Sequence, residues 1–174
     1  GGGAIPGLSA AVTIEIDADA IPRIRAATMA DAAAGLGWAH ARERLFQMDM
    51  MRRAAAGELS QIAGAATLPL DRLMRTLGMR RSAEADAAAL DADTRAVLEA
   101  YARGVNAYIA ARGRFAAMEF IPLGAPRPWT VVDSLLWAKT MGLYLSGNWR
   151  TELARAANPN AAPWPPTDGT AAPF

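Results

Sequence analysis

Residues 35–53 constrain the fold of this chain most strongly, because they carry a continuous helical pattern of apolar and charged side chains. Apolar residues recur at spacings of three and four positions: Trp38, Ala41, Leu45 and Met48. The charged residues that fall off this stripe are Arg42, Glu43, Asp49 and Arg53. We therefore expect a long amphipathic helix that begins at Thr28 or Asp31, with its charges solvated or in a subunit contact.

Glycines in and after this block indicate where the helix meets another part of the chain. Glycine in a helix interior costs about 1 kcal/mol relative to alanine, so its presence needs a packing reason. Gly35 and Gly37 predict close packing near the helix start, and Gly57 predicts a break or a close contact.

The rest of the chain predicts a short strand and several further helices. Residues 12–16 alternate β-branched and polar side chains, as a strand does. Capping residues predict helices over residues 69–77, 91–113 and 130–145. Residues 158–174 are rich in proline and predict a tail without regular structure. We expect one domain over residues 1–157, followed by this tail.

The composition excludes several kinds of site and partner. The chain has no cysteine, which excludes disulfides, thiolate metal sites and a cysteine nucleophile. Its 18 basic and 17 acidic residues give a net charge of +1, which offers no electrostatic attraction to nucleic acid or an anionic membrane. No run of about 18 apolar residues is present to span a bilayer. Because 52% of the residues are hydrophobic, we expect some apolar surface to belong to an interface.

The sequence contains no recognisable set of catalytic residues. His40 is the only histidine, and its place between alanines in the helical block predicts a packed, hydrogen-bonded structural residue. The serines lack the glycine elbow that surrounds many serine nucleophiles. Acidic pairs such as Asp17 with Asp19 and Asp91 with Asp93 predict helix caps or surface charges.

An ordered set of short motifs resembles the α-chain of the penicillin acylase family of N-terminal-nucleophile hydrolases. Residues 35–53 resemble the family signature, and residues 17–25 resemble the strand-and-turn segment that precedes it. Four more motifs follow in family order, at residues 57–60, 100–107, 123–129 and 133–139. The resemblance implies an α+β, four-layer αββα fold built as an α/β heterodimer. In that fold, this chain is mainly α-helical with an N-terminal β-strand.

The resemblance also implies that the catalytic residues lie on another chain. Family members are made as one precursor that cuts itself into an α-chain and a larger β-chain, whose N-terminal serine is the nucleophile. The α-amino group of that serine acts as the base through a water. Its ordinary pKa of about 7.7–8.0 suits proton transfer near neutrality. This chain starts with Gly1, so we expect no catalytic residue in it.

Residues near the end of the chain are expected to contribute to binding. By resemblance, Met141, Tyr144 and Leu145 lie where the family's α-chain lines the acyl pocket. Penicillin G acylases carry an Arg-Phe pair where this chain has Tyr144 and Leu145, which implies a less polar pocket that favours aliphatic or other acyl groups over phenylacetyl. Glu152 takes the place of a glutamate that helps to bind a structural calcium shared with the β-chain.

The expected reaction is hydrolysis of a linear amide, a penicillin side chain or a similar N-acyl compound, through an acyl-enzyme. The nearest alternative substrate is an N-acyl-homoserine lactone. From another class, a helical scaffold subunit without activity also fits the composition. We expect a bacterial periplasmic or secreted protein whose partner is the β-subunit of the same precursor, and whose residues 158–174 adjoin an excised spacer.

Overall fold

The computed structural model describes residues 4–158, which form eight α-helices and one antiparallel pair of strands. The strands are β1 (Thr13–Ile16) and β2 (Pro22–Arg25). The helices are α1 (Met29–Ala56), α2 (Ser60–Ala63), α3 (Leu68–Leu77), α4 (Met79–Ala89), α5 (Ala92–Arg112), α6 (Phe120–Leu123), α7 (Val131–Leu145) and α8 (Trp149–Ala156). Apart from Asn158, the predicted tail lies outside the described residues. The chain divides into two compact units, Gly1–Thr140 and Met141–Phe174.

The strand predicted over residues 12–16 is confirmed as β1, and it pairs with a second strand, β2. Ile14 lies opposite Ile24 in this antiparallel register. The connecting turn is held by the carboxylate of Asp17, which accepts N–H bonds from Asp19 at 3.0 Å and Ile21 at 2.9 Å. Asp17 therefore stabilises the turn between β1 and β2 and does not cap a helix.

Helix α1 begins and ends where the sequence predicts. The Thr28 hydroxyl accepts the N–H of Asp31 at 3.1 Å and so caps the first turn. Gly57 ends the helix in the left-handed region, at φ 69°, which favours glycine. The carboxylate of Asp31 also accepts hydrogen bonds from the hydroxyl and the N–H of Ser9, and these bonds lower its pKa. The N-terminal arm is thereby fixed to the start of α1.

Helices α1 and α5 pack against each other at the level of their backbones. A Cβ added at Gly37 would lie 2.1 Å from the carbonyl oxygen of Tyr101. One added at Gly104 would lie 1.9 Å from the carbonyl oxygen of Ala34. The close packing predicted at Gly37 is confirmed, and its partner is the middle of α5.

The main core extends outward from this helix pair. It joins side chains of α1 and α5 to those of the segment that follows α5. Its large buried members are Leu45, Val105, Tyr108, Phe120 and Trp129. A smaller cluster joins the end of α1 to α4 and the start of α7 through Ala56, Ala83 and Leu136. Both clusters lie within residues 1–140, so this unit has its own hydrophobic interior.

Local signals also predicted the later helices. Pro69 lies in the first turn of α3, which ends at Gly78 with φ 70°. The Asp91 carboxylate accepts the N–H of Thr94 at 2.8 Å at the start of α5. Residues 4–158 are 69% helical with a short N-terminal sheet, which agrees with the expected mainly helical chain. None of the described helices is both long and apolar enough to cross a membrane.

Candidate functional site

The three residues predicted to bind the acyl group lie at the C-terminal end of α7. Met141 and Leu145 are four residues apart, and Tyr144 lies beside them on the helix. Their exposed fractions are 38% for Met141, 72% for Tyr144 and 82% for Leu145. These side chains are therefore available for contact with a substrate or another chain.

Glu152 lies in the first turn of α8, where it is partly exposed. Its carboxylate forms an ion pair with Arg155, with 3.4 Å between Oε1 and Nη1. Among residues 4–158, no group of three or more His, Cys, Asp or Glu side chains is arranged to hold a metal ion. Calcium requires about six to eight oxygen ligands, so Glu152 alone does not form a calcium site.

A buried ion-pair network joins α1 to the start of α7. Asp49 and Arg52 are only 1% and 4% exposed. The Asp49 carboxylate accepts two bonds from the Arg52 guanidinium, at 2.8 and 2.6 Å, and one from Arg53 at 2.7 Å. The surface role predicted for the charges of this helix is therefore wrong for Asp49. Asp49 and Arg52 follow Leu45 by four and seven residues, which places both on the buried face.

The Arg52 guanidinium satisfies several further acceptors. It donates to the carbonyl oxygens of Arg127 at 2.8 Å and Pro128 at 3.0 Å. It also reaches the carboxylate of Asp133 at 3.3 Å and lies over the Trp129 ring, 5.2 Å from its centroid. Arginine suits this position because its planar group presents five donors in a fixed geometry. One side chain thus ties α1 to the loop that precedes α7.

Asp133 serves both the network and the N-terminus of α7. Its carboxylate accepts the N–H of Thr130 at 2.8 Å, while its own N–H donates to the Thr130 hydroxyl at 3.3 Å. This reciprocal pair is a capping box, and it lies at the helix start that the sequence predicts. The same carboxylate also accepts a hydrogen bond from Arg52, a contact that the sequence pattern does not indicate. The start of α7 is thus held by hydrogen bonds and by charge.

An open groove with a volume of about 500 Å³ lies beside this network, within residues 1–140. Most of its walls are apolar or aromatic side chains of α1, α5 and the first turns of α7. Among them are His40, Met48, Met51, Leu98, Tyr101 and Trp137. The groove is thus a concave apolar surface on the same unit as the buried network.

His40 faces this groove and is not packed inside the helix pair. Its Nδ1 lies 3.0 Å from the hydroxyl of Tyr101, which confirms the predicted hydrogen bond, but its side chain is exposed. Partial desolvation, helped by the positive charge of Arg44, lowers the pKa of His40. Burial raises the pKa of Tyr101 to about 12. Both groups are therefore uncharged at neutral pH, and the groove wall they form is neutral.

Comparison with known proteins extends over most of the chain. The sequence profile of the family described as Penicillin amidase matches residues 11–169. Penicillin acylase 2 proenzyme of Pseudomonas sp. (strain SE83) is 41% identical over 83% of this chain, and the match covers 19% of that protein. Acyl-homoserine lactone acylase QuiP of Pseudomonas aeruginosa is 35% identical over 86% of this chain and 18% of its own length.

A solved structure agrees with these sequence matches. The thermostable penicillin G acylase from Alcaligenes faecalis superposes with a TM-score of 0.70 at 29% identity. The match covers 84% of this chain and 81% of that one, and it confirms the predicted fold class. The chain spans about a fifth of the length of the curated relatives that it matches. On the family profile and the 41% identity, this chain belongs to the penicillin amidase family.

Proposed function

We propose that this chain is the α-subunit of a penicillin acylase-like amidohydrolase, and that the nucleophile is the N-terminal serine of a partner chain from the same precursor. The observation that carries the proposal is the 41% identity to an acylase proenzyme over 83% of this chain but only 19% of the proenzyme. The chain therefore corresponds to one segment of a much longer acylase sequence. In the proposed reaction, the serine oxygen attacks the amide carbonyl, the amine leaves, and water hydrolyses the resulting ester.

The test of this proposal is to express the whole precursor and identify what copurifies with this chain. We expect a larger chain with an N-terminal serine, together with hydrolysis of a chromogenic phenylacetyl anilide. Replacing that serine by alanine should abolish the activity, because the nucleophile is lost. A partner that begins with a residue incapable of nucleophilic attack would contradict the proposal, as would amidase activity of this chain alone.

A second candidate substrate is an N-acyl-homoserine lactone. It is favoured by the 35% identity to the QuiP acylase and by the exposed aliphatic side chain of Leu145. Both candidates share one mechanism and differ only in the acyl group and the amine. Comparing kcat/KM for a long-chain acyl-homoserine lactone with that for penicillin G on the matured enzyme decides between them.

Replacing residues at the exposed end of α7 should change the choice of acyl group. We propose that Met141, Tyr144 and Leu145 line the acyl pocket, since their spacing places them together on α7. Changes of apolar contact in a pocket alter discrimination by about 1–3 kcal/mol. Leu145→Ala or Tyr144→Ala should therefore change the ratio of kcat/KM for phenylacetyl and long aliphatic amides by about tenfold or more.

The matched control for this prediction is Met118→Ala. Met118 and Leu145 are both 82% exposed, but Met118 lies in the segment after α5, in the other unit. The control variant should keep the wild-type ratio. If Leu145→Ala lowers kcat/KM equally for both substrates, so that the ratio stays constant, the residue has a packing role and does not select the substrate.

Glu152 is proposed as one ligand of a calcium ion shared with the partner chain. It is a partly exposed carboxylate, and the remaining ligands would have to come from outside the described residues. Glu152→Ala should lower the calcium content of the purified protein and the fraction of precursor that matures. The control is Glu84→Ala, since Glu84 also pairs with an arginine on its own helix, Arg80. Unchanged metal content and maturation in Glu152→Ala would leave only the Arg155 ion pair as its role.

A further inference from the structure

Gly142 lies inside α7, yet the described part of the chain gives this glycine no packing reason. Glycine is a poorer helix former than alanine, because it loses more conformational freedom on folding. At Gly37 and Gly104, an added Cβ would lie 2.1 and 1.9 Å from a carbonyl oxygen of the other helix, so packing requires these glycines. At Gly142, among residues 4–158, an added Cβ would meet nothing within 4 Å apart from its chain neighbours and the local helix backbone. The reason for Gly142 must therefore be sought in a molecule that packs against α7.

Gly142 belongs to the exposed face of α7, next to the side chains proposed to bind the acyl group. It lies three residues before Leu145, and residues three apart are neighbours on a helix surface. It directly follows Met141, and all three residues are exposed, as is Tyr144. Leu143, on the other side of the helix from Leu145, is only partly exposed. The missing side chain of Gly142 thus leaves open space beside Leu145.

The backbone at Gly142 offers no unsatisfied acceptor to this open space. Its carbonyl oxygen accepts the N–H of Ser146 at 2.9 Å and the hydroxyl of Ser146 at 2.7 Å. A carbonyl oxygen has two lone pairs, so these two bonds satisfy it. No charged residue occurs in the sequence between Lys139 and Arg150. The surroundings of Gly142 therefore suit an uncharged aliphatic group better than a polar or ionic one.

We propose that Gly142 is a specificity-determining residue, and that the space left by its missing side chain admits a long, uncharged aliphatic acyl group. The acyl chain would lie over the α7 backbone at Gly142, beside Leu145. A short acyl group fits without this space, whereas a long one needs it. The proposal rests on the proposed function and deepens it, because it names the class of acyl group.

Filling the space should shorten the acyl groups that the enzyme accepts. The full precursor carrying Gly142→Leu is matured, and kcat/KM is measured for the butanoyl and decanoyl p-nitroanilides. A change of one methylene in an apolar pocket alters discrimination by about tenfold or more. We therefore expect kcat/KM for the decanoyl substrate to fall by at least about tenfold, while that for the butanoyl substrate stays within about twofold of wild type.

A smaller substitution keeps the test valid if leucine disturbs folding. Alanine adds one methyl group and is the better helix former, so Gly142→Ala should fold as wild type does. It should lower the ratio of kcat/KM for decanoyl over butanoyl in the same direction as Gly142→Leu, but by less.

The matched control is Gly147→Leu. Gly147 is an exposed glycine of the same unit, and its φ is not in the left-handed region. An added Cβ there would make only an ordinary contact, 3.8 Å from the carbonyl oxygen of Tyr144. This variant should keep the wild-type ratio.

The outcomes separate this inference from the proposed function. In an active, matured enzyme, a ratio that stays constant in both Gly142 variants overturns the inference and leaves the function standing. Equal losses for both substrates overturn it too, since Gly142 then has a packing role. The same is true if Gly147→Leu changes the ratio as much, or if the wild-type enzyme does not hydrolyse the decanoyl substrate. The absence of a serine-initiated partner chain overturns the proposed function itself.

Discussion

Gly104→Ala should prevent the matured protein from accumulating in soluble form. The new methyl carbon would stand 1.9 Å from the carbonyl oxygen of Ala34, and backbone atoms cannot rotate away as a side chain can. Overpacking of a core costs about 1–3 kcal/mol, and a clash with backbone belongs at or above the upper end of that range. The measurements are the soluble yield and the thermal midpoint of the protein purified from the full precursor.

Gly142→Ala is the matched control for this substitution. Gly142 is also inside a helix, α7, but within residues 4–158 no atom apart from its chain neighbours and the local helix backbone lies within 4 Å of an added Cβ there. Alanine is the better helix former by about 1 kcal/mol, so this variant should be as stable as wild type or slightly more so. If Gly104→Ala behaved like Gly142→Ala, the close approach of α1 and α5 would be wrong.

Arg52→Ala should destabilise the protein by about 3–5 kcal/mol, because it removes one partner of a buried ion pair. The change leaves the carboxylates of Asp49 and Asp133 without this guanidinium, and it leaves the carbonyl oxygens of Arg127 and Pro128 without their donor. Arg52→Lys should recover little of the loss, since an ammonium group cannot reproduce the planar set of donors. A fall in the thermal midpoint and in the yield of matured protein reports the effect.

The control for Arg52 is an arginine whose ion pair is on the surface. Arg80 is 40% exposed, and it pairs with the exposed Glu84 at 3.1 Å and more weakly with Glu58 at 3.8 Å. Exposed pairs contribute at most about 1 kcal/mol, so Arg80→Ala should have a small effect. Comparable losses in Arg52→Ala and Arg80→Ala would show that the buried network contributes no more than a surface pair.

The helix boundaries could be predicted because their causes are local. Thr28 and Asp91 begin α1 and α5 through bonds to N–H groups three residues further on, and Gly57 and Gly78 end helices through their own backbone conformation. Each signal is contained within a few neighbouring residues, and the sequence shows it directly.

The burial of Asp49 and Arg52 is not indicated by their residue types, because charged side chains are mostly solvated. Their spacing from Leu45 placed them on the buried face, and a pair of opposite charges there predicts an internal ion pair. The contact of Gly104 with Ala34 has no local signal at all, since it depends on how α5 is aligned against α1. Alignment between distant helices is a property of the folded chain.

The candidate acyl-binding residues came from resemblance, and the structure adds their exposure. Helical periodicity correctly predicts that Met141 and Leu145 lie one turn apart on α7. The same spacing is typical of a buried apolar stripe, so it does not predict that these side chains are exposed. They are exposed because no element among residues 4–158 covers them. In the proposed assembly, residues of the partner chain form the rest of the pocket, so this sequence does not contain them.

The glycine contacts between α1 and α5 have a consequence for how this protein can diverge. A contact between two backbones contains no side chains, so a substitution there has no neighbouring side chain that could be changed to compensate for it. The exposed end of α7 is the opposite case, since Tyr144 and Leu145 can be exchanged without disturbing the interior of their own chain. In the proposed assembly, a lineage can therefore explore new substrates at Tyr144 and Leu145 while Gly37 and Gly104 stay fixed. Directed evolution should vary Tyr144 and Leu145 and leave the two glycines unchanged.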